Sequence, residues 1–173
     1  MDSARLEQRV RDVMTLITTR GARASDAPEI VRMIAELSRH HDDIAQIEIE
    51  DLIFLCFGAS PWLHAIVAEC DAQIVGYAAL QKKVQLQFAR RLMDVQHLFV
   101  KADMRGLGVG RALISAAQAH ATLQRCAGLT LGVVETNLRA QRFYSTLGFE
   151  PRETGGAIQL MRAMPLQSTR TAP

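Results

Sequence analysis

The chain has 173 residues, of which 49% are hydrophobic and 22% are charged, and its net charge is +2. This length suits a single domain with a sizeable core. The near-neutral balance argues against binding nucleic acid or a membrane through bulk charge. Three scattered cysteines without a CxxC pair favour a reduced, cytoplasmic compartment. We expect no secretion signal in this sequence. We also expect no membrane span, which requires an apolar run of roughly 18 residues.

The first part of the chain predicts one strand and two helices. Residues 1–12 are polar and predict a loose arm or a short helix, whereas the β-branched run 14–19 predicts a strand. A helix capped by Ser25 or Asp26 follows, and a second helix covers about 47–57.

The middle of the chain predicts strands. Two strand-like runs, 64–70 and 73–81, are joined by a short turn and predict a hairpin. A basic and less regular stretch over 82–91 follows, and a further strand is predicted over 92–100.

The last third alternates helices and strands. A glycine-rich turn precedes an alanine-rich helix over 109–124 and a strand over 128–135. Asn137 opens another helix, which Gly148 ends as its C′ residue. Two final strand-like segments, predicted to form a closing hairpin, cover 149–154 and 157–164. This element order predicts a mixed α/β domain.

The glycine-rich loop at 105–111 has the composition of a phosphate site. Its glycines let the backbone approach an anion, and the first N–H groups of the next helix have no partner within that helix. Arg105 and Arg111 add charge-assisted contacts. The GxGxG spacing fits neither the Walker A loop nor the dinucleotide fingerprint. The alternative interpretation is a turn that its glycines make flexible, with two arginines exposed to solvent.

Two motifs in this region resemble a known family. The pattern RxxGxG at 105–110 resembles the Q/R-x-x-G-x-G/A signature of the GNAT superfamily, the acyl-CoA-dependent N-acyltransferases. The pattern NxxAxxFYxxxGF at 137–149 resembles the last motif block of that family. The resemblance rests on motifs over 92–151 and on element order over 14–91.

The resemblance implies an α/β (mixed α+β) fold with a twisted, mostly antiparallel sheet of about seven strands and about four flanking helices. It implies a GNAT-like domain over 13–164, between the arm at 1–12 and a disordered tail at 165–173. Acetyl-CoA would be the co-substrate and a small-molecule primary amine the acceptor, with neither nucleic acid nor membrane as partner; a homodimer is allowed. No metal is expected, because adjacent histidines such as His40 and His41 point apart on a helix.

The resemblance also assigns residues to the cofactor. The glycine loop would hold the CoA pyrophosphate through its backbone N–H groups, and the end of the preceding strand would pair with the pantetheine amides. Asn137 would cap its helix and contact the pantetheine arm. The residues assigned to cofactor binding are Leu98, Phe99, Val100, Arg105, Gly106, Leu107, Gly108, Val109, Gly110, Arg111, Asn137 and Tyr144.

Tyr144 is the expected general acid. In the family, a tyrosine at this place lies beside the CoA sulfur and protonates the departing thiolate. The alternative is a core tyrosine, because Tyr144 lies on an apolar helix stripe.

A general base must take a proton from the attacking amine. Counting back from Val100 by twos places Asp94 on the face of Leu98, which makes Asp94 the first candidate, with Glu135 the second. His97 would then lie on the opposite face as a packed histidine. A proton path through water is also compatible with the sequence.

Two other functions remain open at this point. One is an acyl-CoA-binding or sensing module without turnover, and the other is acetylation of protein N-termini or lysines. A nucleic-acid-binding domain is disfavoured, because the chain lacks interleaved basic and aromatic residues.

Overall fold

A five-stranded sheet and four α-helices make up the described residues. The computed structural model describes residues 16–40 and 43–151. The strands are β1 (Thr18–Gly21), β2 (Leu63–Cys70), β3 (Gln73–Gln85), β4 (Arg90–Val100) and β5 (Leu129–Leu131). The helices are α1 (Ala27–His40), α2 (Ile49–Phe57), α3 (Val109–Leu123) and α4 (Leu138–Ser145). Short 3-10 helices cover Ala24–Asp26, Leu86–Phe88 and Ala102–Met104.

The described residues form two compact units, and the division between them falls between Thr136 and Asn137. The first contains the sheet, whose strands lie in the order β1-β2-β3-β4-β5. Neighbouring strands are antiparallel from β1 to β4, and β5 runs parallel to β4. The second unit contains α4. Among the described helices, none has both the length and the apolar character needed to cross a membrane.

Helices cover the sheet of the first unit on both faces. On one face, α1 and α2 contribute Ile30, Met33 and Leu52 to a cluster with inward residues of the sheet such as Val67 and Tyr77. On the other face, α3 buries one side, which consists of Val109, Leu113, Ile114, Ala117 and Ala121. The predicted amphipathic helices therefore form the outer layers of the domain.

Gly76 fixes the start of α3 against the sheet. A Cβ atom at this position would lie 2.7 Å from the Phe99 carbonyl oxygen and 3.2 Å from Cγ1 of Val109. Only glycine therefore allows the first residue of α3 to pack so close to the end of β4. This packing places the glycine-rich loop at the end of β4.

The β2–β3 hairpin is confirmed, and its turn residues Asp71 and Ala72 have φ angles of 51° and 61°, as a two-residue turn between twisted strands favours. The less regular stretch predicted over 82–91 is found only at 86–89, where a short 3-10 helix and a turn residue connect the strands, and the rest of the stretch is strand. Lys82 pairs with Met93 and Gln85 with Arg90, so β3 and β4 continue as one ladder. Pairing with the backbone of the neighbouring strand lengthens a strand even where its side chains do not alternate between apolar and polar.

The mixed, mostly antiparallel α/β fold is confirmed, with five strands in the described part of the chain instead of about seven. The strand predicted over 128–135 is shorter and forms only Leu129–Leu131. Residues 152–164 of the predicted closing hairpin lie outside the described residues. The same holds for the predicted arm at 1–12 and the predicted tail at 165–173.

Both ends of α4 match their predicted caps. The Asn137 side-chain oxygen accepts a hydrogen bond from the Ala140 N–H at 3.0 Å. Gly148 has a φ of 81°, and its N–H donates to the Ser145 carbonyl while the Phe149 N–H donates to the Tyr144 carbonyl. This pair of bonds is a Schellman motif with Gly148 at C′.

Candidate functional site

A β-bulge interrupts β4 at Gln96. Ala79 on β3 pairs with His97, whereas the next residue on β3, Leu80, pairs with Val95. Gln96 is therefore the extra residue, and the alternation of side chains along β4 reverses there.

The bulge places Asp94 and His97 on the same face of the sheet. They pair with Gln81 and Ala79, which are two residues apart on β3 and so share a face. The expectation that Asp94 lies on the face of Leu98, with His97 opposite, is wrong. It fails because counting by twos takes no account of the inserted residue.

Beyond the bulge, β4 and β5 separate. Their parallel ladder ends at the pair Val95–Leu131. β4 continues to Val100, whereas the chain over 132–136 forms no strand. The space along β4 beyond Val95, on the side away from β3, is called the β4–β5 gap below.

Backbone groups of β4 point into this gap. The Lys101 N–H donates to the Val75 carbonyl on β3 at 3.0 Å. Because residues of an antiparallel strand alternate in the side toward which they hydrogen-bond, Phe99 bonds toward β3, and Leu98 and Val100 direct their amides into the gap. An extended ligand with its own amides could add there as a strand would.

The glycine-rich loop leads from β4 into α3. Gly106 and Gly108 have φ angles of 81° and 90°, a conformation that favours glycine. Gly108 is the N-cap of α3, and its carbonyl accepts the first helical hydrogen bond, from Ala112, at 3.0 Å. The N–H groups of Val109, Gly110 and Arg111 therefore have no acceptor within the helix and suit an anion.

Arg105 ties this loop to the end of β4. Its Nε donates to the Val100 carbonyl at 3.0 Å, and its guanidinium lies 5.8 Å from the centre of the Phe99 ring. The side chain remains exposed, as does that of Arg111. Two cations beside a helix N-terminus form an electropositive site of the kind that binds a pyrophosphate.

The two acidic candidates for the base differ in their surroundings. Asp94 is partly buried and accepts a hydrogen bond from the Thr130 hydroxyl on β5. Glu135 is exposed and follows the end of β5. Asp94 is therefore engaged within the ladder between β4 and β5, just before the gap begins.

A pocket of about 450 Å³ lies on the face of the sheet that α1 and α2 cover. It is bounded by these two helices, by the segment 43–47 and by strands β2, β3 and β4, and it is partly open to solvent. Its lining residues are Ile30, Ile34, Ser38, Asp43, Ile44, Ala45, Gln46, Ile47, Leu52, Leu55, Cys56, Trp62, Leu63, Ala65, Tyr77, Ala79, Gln81, Gln96 and His97.

His97 lines this pocket together with Tyr77. The Tyr77 hydroxyl and Nδ1 of His97 are 3.0 Å apart. Burial raises the pKa of the Tyr77 hydroxyl, which stays neutral. The sequence gives no signal for this pair, because the bulge that turns His97 toward the pocket leaves no mark in the residue pattern.

In the second unit, Tyr144 lies in an aromatic cluster. Its ring centre is 5.2 Å from that of Phe143 and 5.7 Å from that of Phe149, which packs edge-on. Burial raises the pKa of the Tyr144 hydroxyl. The phenol is therefore protonated at neutral pH and available as a proton donor.

The family model of the acetyltransferase (GNAT) domain matches residues 61–151. The chain belongs to the GNAT acetyltransferases. This membership confirms the family resemblance and identifies the protein as an acyl-CoA-dependent N-acetyltransferase.

Relatives of this GNAT protein include N-acetyltransferases of different specificity. It is 28% identical over 145 residues to thialysine N-epsilon-acetyltransferase of Sus scrofa, covering 78% of this chain and 85% of the relative. It is 31% identical over 155 residues to a peptidyl-lysine N-acetyltransferase of Escherichia coli, covering 87% and 94%.

A solved structure shows the same fold. It is that of an aminoglycoside acetyltransferase from an uncultured soil metagenomic sample, in complex with sisomicin. The TM-score is 0.71 at 15% identity, with 88% of this chain and 99% of that chain covered.

Acetyl-CoA is the co-substrate of GNAT enzymes, and two features of the first unit fit it. The N–H groups and arginines at the start of α3 suit a pyrophosphate, and the backbone of Leu98 and Val100 suits the amides of a pantetheine arm. The two features are contiguous, because Arg105 bonds directly to Val100.

Proposed function

We propose that this GNAT enzyme transfers an acetyl group from acetyl-CoA to a primary amine by direct attack within a ternary complex. The observation that carries the proposal is the β4–β5 gap, which opens after the pair Val95–Leu131 beside the glycine-rich loop. In the gap, the backbone of β4 has no neighbouring strand. Unpaired backbone N–H and C=O groups are costly to bury, so an extended ligand that bonds to them is the natural occupant.

The cofactor roles follow the resemblance. The N–H groups from Gly106 to Arg111 would hold the pyrophosphate, with the Arg105 guanidinium beside it. Leu98 and Val100 would bond the pantetheine amides, and Asn137 would contact the same arm while capping α4. When bound, acetyl-CoA supplies a thioester carbonyl that an amine can attack.

The amine must lose a proton before or during attack, because an ammonium has no lone pair. Asp94 and Glu135 are the candidates from the sequence, and the pocket adds His97. We favour His97 because it lines the pocket, whereas Asp94 is not among the residues that line it. In the tautomer whose Nδ1–H donates to the Tyr77 oxygen, Nε2 can accept the proton directly or through water.

Tyr144 would supply the second proton, to the departing thiolate. The support is its place in the motif at 137–149 and the burial that keeps its hydroxyl protonated. A phenol that is neutral at working pH donates only as negative charge develops on its partner.

The direct test is thiol release from acetyl-CoA, followed over a panel of amines with the purified full chain. Turnover with any amine supports the proposal. Acetyl-CoA binding that raises Tm without thiol release from any amine would instead support a non-catalytic sensing module.

Peptide lysine is the second candidate acceptor, favoured by the 31% identity to a peptidyl-lysine N-acetyltransferase. Mass spectrometry of lysine peptides after incubation would measure it beside the small amines. The relative that acts on thialysine favours a small-molecule acceptor. A homodimer stays a proposal, and light scattering of the purified chain measures it.

A further inference from the structure

The pocket beneath α1 and α2 has two chemically different parts. Its walls are apolar: Ile30, Ile34 and Leu52 from the helices face Ala65 and Ala79 of the sheet, and all five are buried. Its polar groups on the sheet lie together on β3 and β4, where Gln81, Gln96 and His97 line it. An occupant would therefore place a polar end near these side chains and an apolar body between the helices.

The walls remain uncharged. Burial raises the pKa of the Cys56 thiol, which stays neutral and behaves as a small apolar group. A second ammonium or a carboxylate held between Ile30, Ile34 and Leu52 would lose its hydration without a charged side chain in that buried part of the pocket, which is strongly unfavourable.

The mouth of the pocket presents further apolar surface. Ile44 is 82% exposed and Trp62 is 68% exposed, and both line the pocket. Large exposed apolar side chains that border a cavity commonly mark a binding surface. Asp43 is the only carboxylate that the described part of the chain contributes to the lining, and it lies exposed beside Ile44, where it attracts a cation from solvent.

We infer that the acceptor is a monoamine with an apolar, uncharged body, such as an aliphatic or arylalkyl amine, rather than a polyamine, an amino acid or a protein lysine. The amine reaches toward Gln96 and His97, and the apolar body lies between α1 and α2 and extends to Ile44 and Trp62. A volume of about 450 Å³ accommodates a small ligand of this kind. The inference rests on the proposed acetyl transfer and names its acceptor class.

The test is a length series of n-alkylamines, from propylamine to heptylamine, with thiol release as readout. Burial of each added methylene should raise kcat/KM about fourfold until the pocket is full. Hexane-1,6-diamine, thialysine and a lysine peptide serve as charged acceptors of comparable length. We expect hexane-1,6-diamine to be about 100-fold poorer than hexylamine, because its second ammonium must enter the apolar part. Faster turnover of any of these charged acceptors than of hexylamine would overturn the inference.

A binding readout separates this inference from the proposed function. Ligand-observed NMR compares hexylamine with hexane-1,6-diamine at the enzyme saturated with CoA. If no amine releases thiol, the proposed acetyl transfer fails, while preferential binding of hexylamine still supports an apolar pocket. Equal or stronger binding of the diamine overturns the inference whatever the turnover.

One variant at the mouth and one control outside the pocket localise the effect without disturbing the core. Trp62→Ala should reduce the ratio of kcat/KM between heptylamine and propylamine about tenfold, because apolar contact is lost at the exposed edge of the pocket. Phe54→Ala is the matched control, since Phe54 is 69% exposed on α2 and lies outside the pocket lining. An unchanged ratio in Trp62→Ala, or an equal change in both variants, would overturn the placement of the apolar body.

Discussion

The Tyr77 hydroxyl and Nδ1 of His97 lie 3.0 Å apart on neighbouring strands of the sheet. Tyr77 is 1% exposed, whereas His97 lines the pocket. A fixed and buried partner on one ring nitrogen holds the orientation of the imidazole. In the tautomer whose Nδ1–H donates to the Tyr77 oxygen, the pair would act as a positioned base with a supporting hydroxyl.

Replacing His97 tests this assignment. We expect His97→Gln to lower kcat/KM for the best amine about 100-fold, as loss of a general base does. Tyr77→Phe keeps the ring volume and should cause a smaller loss of kcat/KM. Asp94→Asn and Glu135→Gln are the comparison variants, and a larger loss in either would move the base assignment there.

Replacing Tyr144 tests the general acid. Tyr144→Phe keeps the aromatic contacts with Phe143 and Phe149 and removes only the proton donor. We expect kcat to fall about 100-fold while the KM for acetyl-CoA stays within about twofold. Steady-state kinetics together with calorimetric acetyl-CoA binding measure both quantities. Unchanged kcat would contradict the role.

The glycine-rich loop is tested at Gly108, whose φ is 90°. Gly108→Ala should weaken acetyl-CoA binding by about tenfold or more, because a side chain strains this conformation and hinders the approach of an anion to the backbone. Gly148→Ala is the control for strain alone, since Gly148 has a φ of 81° and open space around its Cβ position. Similar loss of binding in both variants would show that the effect is general instability.

The parts of the site that the sequence predicts are those set by local chemistry. The N-cap at Asn137 needs a short side chain that accepts a hydrogen bond, the C′ position at Gly148 needs a residue that adopts a positive φ, and both are found as predicted. The glycine loop between β4 and α3 follows the same logic, because its positive φ angles restrict the residue type.

The parts that the sequence misses depend on neighbouring strands. A residue such as Gln96 becomes a bulge only because Ala79 and Leu80 pair with His97 and Val95 on either side of it. β5 likewise ends early, at Leu131, because it diverges from β4. Its residue types do not explain this end, since Val133, Val134 and Thr136 all favour strands. Long-range pairing overrides strand propensity at both places.

An ion-pair network near the start of α1 should stabilise the fold in a pH-dependent way. Arg20 bonds both Asp26, at 2.7 Å, and Glu69, at 2.6 Å. Hydrogen bonds from the Arg20 guanidinium hold the pKa of the buried Asp26 carboxyl below its usual value. Its stabilisation is therefore present at neutral pH and is lost as the pH falls below about 4, where the unfolded chain takes up the proton first.

Urea unfolding of Asp26→Asn at pH 7 measures this contribution. We expect the free energy of unfolding to fall by about 2 kcal/mol, because the buried carboxylate that accepts hydrogen bonds from Arg20 is lost. Asp71→Asn in the β2–β3 turn is the control and should change stability by less than about 0.5 kcal/mol. The difference between Asp26→Asn and the parent should shrink at acid pH.

A stacked histidine pair should add a second pH dependence at milder pH. The rings of His64 on β2 and His120 on α3 stack with centres 3.7 Å apart and planes inclined by 7°. Burial is the main cause that lowers the pKa of both imidazoles, and the nearby Lys82 ammonium adds to it. Both rings are therefore neutral in the folded protein at pH 7, and the unfolded chain binds protons more readily.

Stability should consequently fall as the pH drops from about 7 toward 5, through the ordinary pKa range of histidine. His120→Gln removes one member of the pair and should flatten this slope in urea unfolding curves recorded across the range. Lys82→Gln should flatten it in part, whereas Lys83→Gln, the next residue along β3, should leave it unchanged. His120 is one of the groups that lower the pKa of His64. An unaltered slope in His120→Gln would therefore show that the stacked pair does not govern stability in this pH range.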